Sequence, residues 1–350
     1  MLLKPVPQLS LSEIQQLLPE HRYHFVKAIG MGGYGSVFLV KSDKYNQYFC
    51  IKRIKQIDPK NDNTENEAST LIMLCHPNII SMYEYFFDQT KTNLYIVLEY
   101  CSGGSLKDLI EREGPIRPPK LYSYCYQILN ALLHCHEQNI AHRDIKPANI
   151  LIDKYNRPKL ADFGLSRRLE KGENLQSFAG SRPFMAPEII SRENADPFLA
   201  DIWSLGVTFF TLAFGRLPWG VSNGAELDAA IKLGIITFPT FADQEFCNLI
   251  SSMVVVKPSK RKPIAQLMKL PLFAEYRKPF FPSSIQARSR MNLDTGDSAL
   301  FQRSKSTVQT SLSHNRIIAS HNRIRSYMSG QKIERPIPSK KAILHKTFGI

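Results

Sequence analysis

The stretch NIAHRDIKPANILID, residues 139–153, threads five polar side chains between two apolar runs. Ile140 and Ala141 precede them, and Ile150, Leu151 and Ile152 follow. Between these lie His142, Arg143, Asp144, Lys146 and Asn149, three of them formally charged. A buried charge costs several kcal/mol unless it is paired, in the order of ~3–5 kcal/mol when one partner is removed. These residues therefore either satisfy one another or serve something that arrives from outside.

The rest of the chain sets the bounds of that choice. With 350 residues and 43% hydrophobic side chains, a sizeable core is within reach and wholesale disorder is not expected. The opening MLLKPVPQLSLSEIQQLLPE lacks the basic start and unbroken apolar run of a signal peptide. Its SLSE, Ser10 to Glu13, predicts a capped short helix that stops before Pro19. No apolar run approaches the ~18–20 residues of a membrane span, and GVTFFTLAFG reads as a buried helix. Cysteines 50, 75, 101, 125, 135 and 247 show no CxxC or metal spacing, which suits reduced thiols of an intracellular, cytoplasmic or nuclear protein. The formal charge of +14 is unevenly placed: Arg277 to Ile350 hold 14 Lys and Arg against three acids. A basic tail, rather than the body, carries the excess.

Organisation follows the hydrophobic period. Residues 23–54 alternate and are β-branched and aromatic, which predicts three strands, the first two joined by a glycine-rich turn. Residues 64–75 place acids first and apolar residues later, as a helix does, and two further strands follow in IISMYEYFF and NLYIVLEY. Beyond the glycines at 103–104, Leu121, Tyr124, Cys125, Ile128, Leu129, Leu132 and Leu133 recur at helical spacing. More helices are expected at 198–214, 224–233, 243–253 and 264–270. A strand-rich half before a helix-rich half suggests two lobes with a cleft. From about Tyr276 the periodicity fades into Ser, Arg, Asn and Pro, and SHNRI occurs at 313–317 and 320–324. That tail is expected to be mostly disordered.

Chemistry enters with IGMGGYGSV, residues 29–37, where Gly30, Gly32 and Gly35 fit G-x-G-x-x-G-x-V. Glycines let a backbone lie over phosphates and offer N–H groups without side-chain clash. A dinucleotide-binding reading fails because a strand follows, and a Walker loop fails for want of Gly-Lys-Ser/Thr. Lys52 lies mid-strand in FCIKRI, where a phosphate-seeking cation would need a carboxylate to hold it; Glu67 on the next helix is the best candidate. Asp162 of ADFG, Asp144 and Asn149 are hard oxygen groups suited to Mg²⁺ and to a hydroxyl proton. GSRPFMAPE, ending at Glu188, and DIWSLG, with Asp201, follow.

In this order and spacing, the Gly loop, strand lysine, helix glutamate, HRDIKPAN, DFG, APE and DxWSxG resemble the eukaryotic protein kinase family, serine/threonine type. The resemblance covers about residues 22–276. It implies an α+β, two-lobed fold: an N-lobe (22–100) with a five-stranded antiparallel sheet and one main helix, and a mainly helical C-lobe (101–276). Residues 1–21 would be an extension with a short helix, and 277–350 the tail. The cofactors implied are ATP and Mg²⁺. ATP would be met by Ile29, Gly30, Met31, Gly32, Gly33, Tyr34, Gly35, Ser36 and Val37, by Lys52 held by Glu67, by the hinge at Glu99 and Cys101, and by Leu151. Asn149 and Asp162 would hold the metal, Asp144 would take the acceptor proton, and Lys146 would contact the transferred phosphate. His142, Phe163, Leu71 and Met82 look like the family's stacked spine; Asp201 would brace the His142–Arg143 loop, and Arg261 would pair with Glu188. Leu98 is the gatekeeper position.

The departures also inform. Cys50 stands where the family usually has Ala. Three positions at which basophilic members carry acids are Ser105, Ala148 and Thr211 here, which argues against strong selection for arginine. AGSRPFMAPE and GRLPW most resemble the calcium/calmodulin-dependent and AMP-activated kinase group. Ser177 sits where that group carries its activating phosphate, beside candidates Ser166 and Ser181, which implies an upstream activating kinase. Partners would be proteins with Ser or Thr to modify. Two rival readings remain in view. A scaffold with the same fold would be favoured by loss of Lys52, Asp144 or Asp162, and none is lost. The tail could instead bind calmodulin or acidic surfaces, since HNRIIASHNRIRSY alternates Arg with Ile, or serve as a target at Ser304, Ser306 and Ser326.

Overall fold

The computed structural model describes residues 11–32, 35–55, 63–90, 92–169, 179–221 and 223–277. Gly33, Tyr34, Ser177 and the tail beyond Arg277 lie outside the described residues, as does any test of their expected roles. The chain divides into Met1–Leu293 and Asp294–Ile350, and every described residue belongs to the first unit.

The N-terminal half is one antiparallel sheet built from β1 (Tyr23–Gly32), β2 (Gly35–Ser42), β3 (Gln47–Lys55), β4 (Met82–Phe87) and β5 (Asn93–Glu99) in the order β1-β2-β3-β5-β4. Side chains alternate between its faces, and each face has its own cover. Phe38, Val40, Phe49, Ile51, Phe86, Tyr95 and Val97 cluster on the outer face. Helix α1 (Leu11–Glu20) closes that cluster with Ile14 and Leu18, which are 3% and 1% exposed. The intervening positions Leu94 and Ile96 belong to the other core, together with Ala68 and Leu71 of α2 (Asn63–Met73). The helix expected to stop before Pro19 runs through it to Glu20. Proline removes one N–H, but in the last turn little of the helix remains to be broken. Burial of Leu18 and the turn bonds from His21 N–H to Leu18 O and from Arg22 N–H to Pro19 O hold the end together.

The second half opens with α3 (Leu106–Glu113), capped by reciprocal bonds between Ser105 and Asp108, and α4 (Lys120–Glu137). Four short strands follow: β6 (Ile140–Ala141) pairs with β9 (Arg167–Arg168), and β7 (Ile150–Ile152) with β8 (Pro158–Leu160). Then come α5 (Pro187–Ile190), α6 (Pro197–Phe214), α7 (Gly224–Leu233), α8 (Gln244–Met253) and α9 (Ile264–Leu267). The stretch expected to be helical over 264–270 stops at Leu267, because Leu270 precedes Pro271 and is driven into an extended conformation, ψ 148°. Helix α6 is apolar on nearly every side and long enough by composition to cross a membrane, but most of it is buried inside the fold. It is the axis of the core of the second half.

One apolar core runs from α2 and β5 into α4 and α6. Polar bonds reinforce this continuity. Ile80 N–H donates to Leu160 O and Leu160 N–H to Asn78 O, at 2.9 and 2.8 Å. The Asn78 amide also reaches Pro158 O and Gln127 Oε1. Lys159 Nζ meets Glu99 Oε2 at 2.8 Å, where the sheet hands over to the second half.

The outer cluster closes only with α1 in place. Leu18→Ala is expected to destabilise the protein by ~2–5 kcal/mol, read as a lowered denaturation midpoint, whereas substituting the exposed Gln15 should change it by less than ~0.5 kcal/mol.

Candidate active site

The residues of the opening stretch are held by a carboxylate that lies 59 positions away in sequence. Asp201, on the first turns of α6 and 1% exposed, accepts the backbone N–H of His142 and of Arg143, each at 2.8 Å, and also His136 Nε2 at 3.0 Å. Arg143 needs that support, since its φ of 70° lies in the left-handed region that non-glycine residues rarely adopt. The His142 ring stands 4.8 Å from that of Phe163 and its Nε2 donates to Ala161 O, while its Nδ1 accepts from the Asp144 N–H. Leu71 and Phe163 are buried in the same core, with Met82 packed against it.

Asp144 is thereby set into a dense bonding network. Its Oδ2 accepts Lys146 Nζ at 2.7 Å and the Asn149 amide at 2.9 Å, and its Oδ1 accepts the Ser181 N–H at 2.9 Å. Lys146 also donates to Ser181 Oγ at 2.6 Å. Asn149 donates a further bond to the Asp144 carbonyl, so its amide nitrogen is committed and its carbonyl oxygen is the group available as a ligand. Gly180 has to be glycine here. Its φ is 130°, and an added Cβ would sit 2.8 Å from the Arg143 carbonyl.

A second cluster faces the first. Lys52 Nζ lies 2.8 Å from both oxygens of Glu67 and 2.8 Å from Asp162 Oδ1. Burial works against its charge, but Glu67 and Asp162 outweigh it and hold Lys52 above the usual lysine range. For Asp162, burial pushes the carboxyl up, yet Lys52, helped by His142 and Lys146, holds it below the usual range. Asp162 itself takes a left-handed φ of 61°. Beside Lys52 in the sheet runs β2, in which Val37 pairs with Lys52. Gly35 has φ 148°, and a Cβ there would lie 2.2 Å from Arg53 O.

The sequence-predicted residues distribute as follows. Ile29, Gly30, Met31 and Gly32 end β1, and Gly35, Ser36 and Val37 begin β2. Glu99 ends β5, Cys101 is buried just beyond it, and Leu151 is half-buried on β7. Cys50, on β3, has its thiol pushed up to about 12 by burial; so has Cys101, where Glu99 adds to the effect. Of the three uncharged positions flagged above, Ser105 is occupied as a helix cap and the Thr211 hydroxyl donates to Val207 O. Ser166 is buried and donates to Phe163 O at 2.6 Å. Burial pulls the Arg143 guanidinium down from its ordinary value; Asp201 opposes this and Arg167 adds to it, so two cations stand close together.

Glu188 and Arg261 make a fork at 2.6 and 2.7 Å, with both side chains buried. Sequence reasoning missed three ties: His136 to Asp201, Lys159 to Glu99, and Arg182 to Asp228 of α7. His136 lies at the end of an amphipathic helix and Lys159 in a short apolar strand, and neither has a spacing that names its partner.

A family model for the protein kinase domain matches residues 23–273. A probable serine/threonine-protein kinase MARK-A of Dictyostelium discoideum is 34% identical over 277 residues, 78% of this chain and 26% of that protein. Sperm motility kinase 2B of Mus musculus is 31% identical over 254 residues, 73% of this chain and 52% of its own. The serine/threonine protein kinase OSK3 of Oryza sativa subsp. indica is 32% identical over 282 residues, 78% and 55%. The chain thus spans about a quarter to about half the length of these curated relatives.

Removing one side of the buried fork leaves an uncompensated charge. Arg261→Ala is expected to cost ~3–5 kcal/mol, and the Glu188→Leu, Arg261→Met pair distinctly less than the sum of the singles. Urea unfolding of the wild type and the four variants checks this.

Proposed function

The chain belongs to the protein kinase family, and from that premise we propose that it transfers the γ-phosphate of Mg-ATP to serine and threonine hydroxyls of other proteins inside the cell. The observation that carries this reading is the facing pair of clusters, Lys52–Glu67–Asp162 and Asp144–Lys146–Asn149. A structural ion pair has no need of a strand cation shared by two carboxylates next to a glycine-rich strand. A nucleotide triphosphate does: it needs a fixed positive charge, hard oxygen ligands and a backbone that can come close.

The side chains fit those demands. Asp162 binds Lys52 through Oδ1, and Asn149 offers its carbonyl oxygen; both are hard donors suited to Mg²⁺. When bound, the metal would neutralise charge on the phosphates. Lys52, kept charged and in place by Glu67, is positioned for the non-transferred phosphates. Asp144 orients the acceptor hydroxyl and takes its proton as the hydroxyl oxygen bonds to the γ-phosphorus. The bridging oxygen between the β- and γ-phosphorus atoms leaves with ADP. Lys146, bonded to Asp144 and Ser181, stands beside that transfer and stabilises charge on the moving group. Little covalent chemistry is asked of the protein; positioning and electrostatics lower the barrier.

We also read the loop around Ser177 as regulatory. Burial, with Arg167 adding to it, depresses the Arg143 guanidinium, and a phosphate on Ser177 would favour its charged form. The resemblance of AGSRPFMAPE to the calcium/calmodulin-dependent and AMP-activated kinase group supports that placement.

Lys52→Met, Asp144→Asn and Asp162→Asn should each lower turnover by roughly 10²-fold or more while leaving the unfolding transition in place, measured with radiolabelled ATP on a mixed Ser/Thr peptide pool. Equal wild-type and variant rates would refute the reading. Ser177→Ala should bind ATP normally yet gain nothing from an activating kinase. The check is turnover before and after phosphorylation of both proteins.

A further inference from the structure

Arg182 follows Ser181, whose N–H donates to Asp144 Oδ1 at 2.9 Å and whose hydroxyl accepts Lys146 Nζ at 2.6 Å. The loop that carries Arg182 therefore walls the place where an acceptor hydroxyl must reach Asp144. That wall is fixed from three directions. Trp219 Nε1 donates to Pro183 O at 2.9 Å, and Ser204 Oγ to Phe184 O at 2.7 Å. Arg182 itself donates from Nε, at 2.7 Å, and from Nη2 to the two oxygens of Asp228 on α7.

The Arg182–Asp228 fork is a poor candidate for a mere staple. The Arg182 side chain is 59% exposed, and exposed ion pairs contribute only ~0–1 kcal/mol. Its geometry is more informative. A guanidinium carries five N–H donors in one plane, and Asp228 engages a single edge of it, through Nε and Nη2. Nη1 has no hydrogen-bond partner among the described residues. Asp228 thus engages one edge of the plane and leaves the Nη1 edge for an arriving anion. Asp144, which accepts from the preceding residue Ser181, is also occupied by Lys146 and Asn149. The wall therefore carries an exposed guanidinium, bonded along one edge only, one residue from the contact with Asp144.

We propose that Arg182 is a specificity-determining residue that reads an acidic side chain immediately flanking the acceptor serine or threonine. The ligand chemistry is a carboxylate or phosphate, and Asp, Glu or an already phosphorylated residue would supply it. This rests on the phosphotransfer reading above and adds a substrate class to it. It also accords with the uncharged Ser105, Ala148 and Thr211, which offer no anion to a basic substrate residue.

The test uses the full chain and a peptide array in which each position within two residues of the acceptor is set in turn to Asp, Glu, phosphoserine, Ala or Lys. An acid at one flanking position should raise kcat/KM roughly tenfold over Ala, ~1.4 kcal/mol, mainly through KM. The phosphoserine arm separates a phosphate source from the carboxylate arms. Arg182→Gln should erase the preference, and Arg182→Glu should turn it toward Lys. Asp228→Asn should keep it, because the cation remains. A staple between the loop and α7 predicts something else: Arg182→Gln and Asp228→Asn would slow all peptides alike and leave the ratios unchanged. That result, or a wild-type array with no flanking acid preference, overturns the proposal and leaves the kinase reading standing. A wild-type chain that labels no peptide and hydrolyses no ATP brings down the kinase reading itself, and this proposal with it.

Discussion

The carboxylate of Asp201 is the constraint on which the site depends. It lies inside an apolar helix and is almost wholly buried; two backbone amides and His136 bond to it. A buried anion with three donors is stable, and the donors it recruits are fixed in return. Two of them belong to consecutive residues, His142 and Arg143, so the loop cannot rotate about the peptide between them. That rigidity sustains the left-handed Arg143 and delivers Asp144 to its partners.

From there the charges are arranged as two facing sets rather than as isolated pairs. Lys52 is shared between Glu67 and Asp162, and Asp144 between Lys146, Asn149 and Ser181. In the first set the charges hold one another, so Lys52 is held up and Asp162 down although burial alone would move both the other way. Charges in a partly dry cleft act on one another more strongly than they would in water. The apolar frame around them, α6 below and the sheet above, supplies both the rigidity and the low dielectric. The Glu188–Arg261 fork and the outer cluster closed by α1 extend that rigidity to the edges of the two halves.

The sequence showed the strands of the first half because one face of each strand differs from the other, and alternation survives in one dimension. Phe49 and Ile51 face α1, while Cys50 and Lys52 face the cleft. It showed the longer helices where apolar residues recur at three and four, but not α3 or α5; ends differed at Pro19, tolerated in a last turn, at Pro271, which cut α9 short, and at the helix expected over 64–75, which ends at Met73. The glycines, Lys52, Asp144, Asn149 and Asp162 were legible as chemistry because their types and order are unusual for a core. That Asp201 and Arg261 would find the loop and Glu188 was visible only through family resemblance.

What the sequence determined by itself, then, was most of the longer elements and a set of candidate polar groups, since period and residue type are local properties. What only the tertiary structure decided was which of them meet. Lys52 and Asp162 are 110 residues apart and Glu188 and Arg261 73, yet each pair bonds. His136 with Asp201, Lys159 with Glu99 and Arg182 with Asp228 carried no signal at all. The physical reason is that a charged side chain in a sequence reads the same whether it faces water or a partner. Burial, which makes the partner obligatory, exists only once the chain has folded.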